Sequence, residues 1–283
     1  MDRRSFLTGA AALAACRNAT PPPARSGEPG VVRVASVKTA VEGGLLAHLV
    51  ERFEAAHPLR VQIATGSDVY VRARAGEADL VISHFGHHDA EQFVLDGRGE
   101  WPRTVFSNQM ALLGPPDDPA QIRGLVDAGE AMRRIASRRS PFVLNDLDGV
   151  RYLSEILWHA AGAPDRAGWW IDDATSRGGA IERAGARGGY TLWGLTPFLR
   201  TPTAKLEPLV LADPLLQRML VSVVVRGGNA DAAYAFQSFL LAPATQASIR
   251  TVEYPGANGV HWVPAGRHNR TAILPSSRVA PTG

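Results

Sequence analysis

The chain has 283 residues, 45% of them hydrophobic and 20% charged, enough apolar material for one large or two ordinary cores, which excludes a disordered tail. Its net charge of +3 is small and comes from scattered arginines, lysine occurring only at 38 and 205, so no basic block suits a nucleic-acid partner. A single cysteine excludes an intramolecular disulfide, a CxxC redox pair and a multi-cysteine zinc site.

The first elements are an address. Arg3 and Arg4 precede an apolar run from Phe6 to Ala15. At about ten residues that run is too short for a bilayer, which takes about 20. It closes on Leu13-Ala14-Ala15-Cys16, a lipobox-like sequence that assigns residues 1–16 to a lipoprotein signal and predicts cleavage before Cys16, which becomes the acylated first residue. The Arg3-Arg4-Ser5-Phe6-Leu7 stretch is similar to twin-arginine leaders and is also compatible with a general secretory signal. Residues 17–30, rich in Pro and Gly, predict a tether. The mature protein is thus expected outside the cytoplasm, on the periplasmic side of the cell membrane, held there by lipid.

The body begins with a β-branched strand, Val31–Ala35, then an amphipathic helix over Gly44–Ala56. Strands at Arg60–Ala64 and Gly76–Ser83, a short helix at Asp89–Leu95 and a long strand at Thr104–Leu113 follow, closed by Gly114-Pro115-Pro116-Asp117-Asp118-Pro119. This alternation predicts a mostly parallel α/β sheet. A second unit is expected from a helix at Gln121–Arg138, a strand at Pro141–Leu144, a helix at Val150–Ala161 and a strand near Gly189–Leu192. Strands at Leu206–Leu211 and Met219–Val225 and a helix at Ala230–Leu241 lead back. The expected division is lobe I from 31–113 with 205–283 and lobe II from 114–204, with a ligand cleft between them.

In order and spacing the body resembles the TupA-like tungstate-binding proteins, receptors of tungstate ABC transporters. Ala35 to Leu46 stands for A-T-T-T-S-T-x-x-S-G-L-L, Gly76-Glu77-Ala78-Asp79-Leu80 with His84 for G-x-A-D-x-x-x-x-H, and Gly114 to Pro119 for G-P-x-D-D-P. Pro141-Phe142-Val143, Gly189-Tyr190-Thr191-Leu192, Asp213-Pro214 and Ala230 to Ala247 continue the match to about Pro264. The resemblance implies a two-lobed α/β periplasmic-binding-protein fold of type II, with two crossing strands as hinge. It implies an oxyanion ligand, tungstate or molybdate first, an ABC permease as partner, and a monomer with neither cofactor nor enzymatic activity. The departures fall on the family's anion-contacting positions. T-T-T-S is here Ser36-Val37-Lys38-Thr39, the arginine of S-R-G-D-D falls at about Asn145, and D-R after Y-T-L is Gly194-Leu195. Lys38, Arg151 and Arg177 stand in or beside the equivalent loops.

A tetrahedral dianion offers only acceptors, so its site needs hydroxyls, backbone N–H groups and a cation or two. Ser36, Lys38 and Thr39 lie between a strand and a helix, where N-capping is the plainer use of the hydroxyls. Asn145 ends the Pro141–Leu144 strand, and Gly149 opens the next helix. Ser176 and Arg177 belong to the glycine-bearing Thr175–Gly179 loop, and Thr191 and Arg151 complete the candidate set. Asp146 and Asp148 are assigned to capping the Gly149 helix.

His84, His87, His88 and Asp89 present three imidazoles and a carboxylate in six residues, a rival divalent-metal site. His87, His88 and Asp89 equally suit a helix cap. A binding protein for another anion, without a transport role, also stays open. No G-x-S-x-G, H-E-x-x-H or phosphate-loop lysine argues for an enzyme.

Overall fold

The computed structural model describes residues 29–201 and 205–265, the side chains of His88 and Asn258 excepted; the predicted leader, Cys16 and most of the tether lie outside them. β-branched Val31, Val32 and Val34 build β1 (Val31–Ser36), which pairs in parallel with β2 (Arg60–Thr65) on one side and β3 (Leu80–His84) on the other. Leu45, Leu46, Leu49 and Phe53 are fully buried on one face of α2 (Leu45–Ala56), as their helical spacing predicts.

The expectation of a mostly parallel sheet is corrected. In this sheet, among the described residues, only β1, β2 and β3 run parallel; β9 (Gln217–Val224) inserts antiparallel beside β3, and β4 (Arg103–Gly114) lies antiparallel to β9. The apolar runs fit either direction, and only the return of the chain decides it. The order is β12 (Val263–Pro264), β4, β9, β3, β1, β2. α9 (Ala230–Leu241) and α10 (Pro243–Ile249) complete this unit, Gln246 donating to Val105 O at 2.7 Å and Leu240 O at 2.6 Å.

β4 is the first crossing. Its opening half pairs with β9, and its closing half, Met110–Gly114, with β7 (Thr191–Gly194) and β8 (Glu207–Val210). β8 therefore sits with the second unit, and the chain returns through Asp213–Gln217, later than the boundary at 205 read from the sequence. A second apolar cluster holds α5 (Ala128–Ser137), α6 (Asp148–Ala160) and the short pair β5 (Phe142–Val143) and β6 (Trp170–Ile171); all its buried members lie between Met110 and Leu216.

α5 starts at Ala128 rather than Gln121. Gln121 and Gly124 have positive φ, 54° and 76°, which ends any helix there, and the Asp127 carboxylate accepts from Glu130 N at 2.8 Å as the true cap. Among the described residues five helices escaped the hydrophobic pattern because they are short or small-residue: α1 (Lys38–Glu42), α3 (Val69–Arg74), α7 (Gly178–Ala186), α8 (Leu195–Leu199) and α10.

Several signature residues are fasteners. Asp79 is fully buried and accepts from Arg33 N at 2.8 Å, Arg33 Nη2 at 2.6 Å and Asn229 N at 2.9 Å, tying β1 to the start of α9. Burial pushes its pKa up, but the guanidinium and the two N–H groups outweigh that and hold it below the ordinary range. Tyr190 donates to Asp118 Oδ1 at 2.9 Å and accepts from Ala120 N at 2.7 Å, joining the Gly-Pro-Pro-Asp-Asp-Pro turn to the Gly-Tyr-Thr-Leu strand. Gly114 is required beside it, since a Cβ there meets the Tyr190 ring at 2.5 Å. Asp213 accepts from Ala128 N at 2.7 Å and Leu215 N at 2.8 Å.

Candidate functional site

Four neighbouring strands carry polar residues on one face, at the ends of β1 and β3, the start of β9 and the middle of β4. Register sets Ser36 opposite Ile82, His84 opposite Leu220 and Arg218 opposite Asn108. Side chains two apart share a face, so Ser36, His84, Arg218 and Asn108 form a row across β1, β3, β9 and β4. Thr39, in α1, reaches His84 Nε2 with its hydroxyl at 3.4 Å.

The row is short of partners. His84 Nδ1 and Asn108 Oδ1 are buried with no hydrogen bond among the described residues. Burial, then the nearby charge of Arg218 and then His87, pushes the His84 pKa down to about 3, so the ring is neutral near pH 7. The guanidinium of Arg218 makes no hydrogen bond or ion pair among the described residues, and burial pushes its pKa down with no carboxylate to restore it.

Opposite stands the opening turn of α6. A Cβ built on Gly149 lies 3.2 Å from Arg218 Nη2, so the guanidinium presses directly on this turn. Leu147 at the N-cap offers no side-chain acceptor, and the N–H groups of Asp148 and Gly149 have no acceptor among the described residues. A cation beside the positive end of a helix is unfavourable by roughly 0.3–1 kcal/mol, on top of its own desolvation. Unpaired guanidinium, free amides and a neutral imidazole together make a place where negative charge is stabilised and positive charge is not.

The sequence candidates fare unequally. Ser36 is buried in the row, its hydroxyl donating to Val37 O at 3.1 Å. The single-turn α1 follows it and intervenes before α2, which opens at Leu45 with Gly44 as N-cap. Lys38 is exposed at its start. Asn145 is fully buried, but its amide is spent on the loop: Oδ1 accepts from Arg177 N at 2.8 Å and Nδ2 donates to Arg177 O at 3.5 Å. That clamp holds Arg177 at φ 55°, a strained value for a side-chain-bearing residue, and leaves its guanidinium exposed. Ser176 is half-buried in the same loop. Thr191 is fully buried on β7 opposite Leu113, its Oγ1 without a partner among the described residues.

Arg151 is corrected. Its guanidinium donates to Asp146 Oδ1 at 2.7 Å and to both oxygens of Asp172 at 2.7 and 2.9 Å, and so joins α6 to the loop after β6 instead of facing an anion. Asp146 is engaged there rather than in capping, and Asp148 is the first residue of the helix. In the histidine stretch, His87 Nδ1 accepts from Asp89 N at 3.3 Å and caps α4 (His88–Leu95). Among the described residues no three His, Cys, Asp or Glu side chains are grouped to hold a metal.

Arg218 and Asn108 were missed in the sequence: Asn108 lies inside the Thr104–Leu113 run read as ordinary sheet, and Arg218 stands just outside the Met219–Val225 run. The available signal was a charged residue at the head of the apolar Met219–Val225 run. Surface concavities lined by Glu42, Thr196, Arg200 and Tyr254, and by Ile181, Glu182 and Lys205, include no member of the row.

No protein-family model matches the chain. A Haloferax volcanii protein named as an ABC transporter anion-binding protein is 27% identical over 282 residues, covering 88% of this chain and 82% of the relative. The tungstate-binding protein TupA of Peptoclostridium acidaminophilum is 23% identical over 232 residues, covering 78% and 80%. Over most of its length the chain is thus similar to TupA-like and other anion-binding proteins of ABC transporters. Its fold agrees: the solved TupA of Desulfovibrio alaskensis G20 superposes with a TM-score of 0.69 at 21% identity, over 83% of this chain and 98% of that one.

Proposed function

We propose that this chain is the extracytoplasmic solute-binding component of an ABC importer, and that it closes its two lobes around a small oxyanion, tungstate or molybdate. The observation that carries the reading is the meeting of the donor-rich row Ser36–His84–Arg218–Asn108 with the open first turn of α6. The naming of two relatives for anion and tungstate binding supports the same chemistry. Ser36, Thr39 and Thr191 supply hydroxyls on this reading, while Lys38, Ser176 and Arg177 line the approach. The first turn of α6 lies against Arg218, so parting of the lobes about β4 and the Asp213–Gln217 return admits the ion and contacts made only in the closed form hold it. Closure then presents a surface to the permease. Anchorage through acylated Cys16, a monomeric state and the absence of an enzymatic role belong to the same proposal.

The test is calorimetric titration of metal-stripped protein with tungstate, molybdate, sulfate, phosphate and Zn²⁺, with the melting temperature followed in parallel. Heat and a raised Tm with tungstate or molybdate are expected. A response to Zn²⁺ alone, or none to any oxyanion, overturns the reading. Radiolabelled palmitate should enter the expressed protein and be lost in Cys16→Ser; equal labelling of the two removes the anchor.

A further inference from the structure

We propose that Arg218, on the crossing strand β9, carries the positive charge that holds the anion. The assignment rests on the receptor reading above and names the residue that reading needs. Among the described residues, the other arginines without an ion pair or side-chain hydrogen bond in evidence are Arg52, Arg98, Arg103, Arg177 and Arg187, all of them exposed; Arg250 is partnered. Arg218 alone of these is half-buried, with its guanidinium against Gly149. A charge so placed is retained only if a counter-charge comes to it, and no carboxylate among the described residues pairs with it: Asp148, on the adjoining turn, is exposed, and Asp146 and Asp172 are held by Arg151.

A second observation marks the same spot. Asn108, the register partner of Arg218, is 4% exposed, and its Oδ1 has no partner among the described residues. A half-turn of that amide directs its NH₂ to an oxygen. The planar guanidinium spans two oxygens of a tetrahedral oxyanion, and the amides of Asp148 and Gly149 meet the others as α6 closes. Arg218 lies at the head of a strand in the first sheet while its guanidinium touches the second lobe, so one residue serves capture and closure. Gly149 is the enabling position, because any side chain there presses on Nη2.

The experiment is titration of sodium tungstate into the wild type and into Arg218→Gln, Arg218→Lys and Arg52→Gln, with Tm measured before each titration; Arg52 is an exposed residue of α2, outside the row. Arg218→Gln is expected to weaken binding about 100-fold and Arg218→Lys about tenfold, since lysine keeps charge but not the fork. Arg52→Gln should stay within about threefold of wild type. The anion-free Tm of Arg218→Gln should equal or exceed that of wild type, which a structural arginine does not allow. Wild-type affinity in Arg218→Gln overturns the assignment alone, as does an equal loss in Arg52→Gln, which would make the effect one of net charge. Absence of binding in the wild type overturns the receptor reading and the assignment together. Should Arg218→Gln fold poorly, the assignment falls, and a folded Arg218→Lys with undiminished affinity sinks it equally.

Discussion

The two ends of the first sheet treat buried charge in opposite ways. At the end where β1 begins, Asp79 is surrounded by donors from Arg33 and Asn229, and its partner guanidinium also donates to Gly76 O at 2.6 Å. At the end where β1 and β3 finish, Arg218 has no such shell and His84 and Asn108 keep polar atoms unmatched. The first arrangement is complete, so it stabilises the fold as it stands. The second is incomplete in a consistent sense: cation, amides and neutral ring all await an acceptor. Satisfied polar groups report architecture, and unsatisfied ones report what the architecture is for.

The largest effect that sharpens this contrast is at the satisfied end. Asp79→Ala leaves the Arg33 charge and two N–H groups without their acceptor, and about 3–5 kcal/mol of stability should be lost, a fall in Tm of roughly 10 °C or more by calorimetry. Arg218→Met, at the other end, should leave the anion-free Tm unchanged or raised by about 1 kcal/mol equivalent while abolishing the Tm increase that tungstate produces. Equal losses in the two variants would erase the distinction between the ends.

Acid titration separates them as well. The Asp79 pKa is depressed, so its contribution is complete above the unfolded carboxylate range near pH 4 and is lost as pH falls through its lower folded value. His84 acts earlier: between about pH 6.5 and 3 the unfolded chain binds a proton that the folded ring refuses, so stability declines as pH drops. His84→Gln should flatten the stability slope between pH 6.5 and 5 in urea melts, leaving the steeper loss below pH 4. Smaller still, Asn145→Ala should cost about 1–2 kcal/mol by freeing the Arg177 backbone, with weaker tungstate binding as a consequence. Least of all, Arg151→Ala should shift stability by about 1 kcal/mol and leave tungstate affinity unchanged in the same titration, because its partners are carboxylates near the surface.

Much of the scaffold is legible without coordinates. The β-branched run of β1, the apolar stripe of α2 and the long apolar β4 state their own structure: α2 is buried at helical spacing, while β1 and β4 are buried almost throughout, as unbroken apolar runs between turn signals suit interior strands. Strand direction is not legible, because β9 buries both faces whichever way it runs. The site is legible only in part. Ser36 and Thr39 stand where the loop pattern places them, whereas Arg151 and Asn145 look in sequence like free donors and prove to be engaged by Asp172 and by the Arg177 backbone. Nothing within 40 residues of Gly149 announces that Arg218 will press against it.

Local order and composition thus decide the elements, their sequence along the chain and the kinship they betray, because hydrophobic periodicity and turn chemistry act over a few residues. Which polar groups are left wanting is decided only when β9 returns between β3 and β4 and brings Arg218 against α6. Satisfaction of a buried charge depends on every neighbour in space, and those neighbours come from parts of the chain that share no local rule.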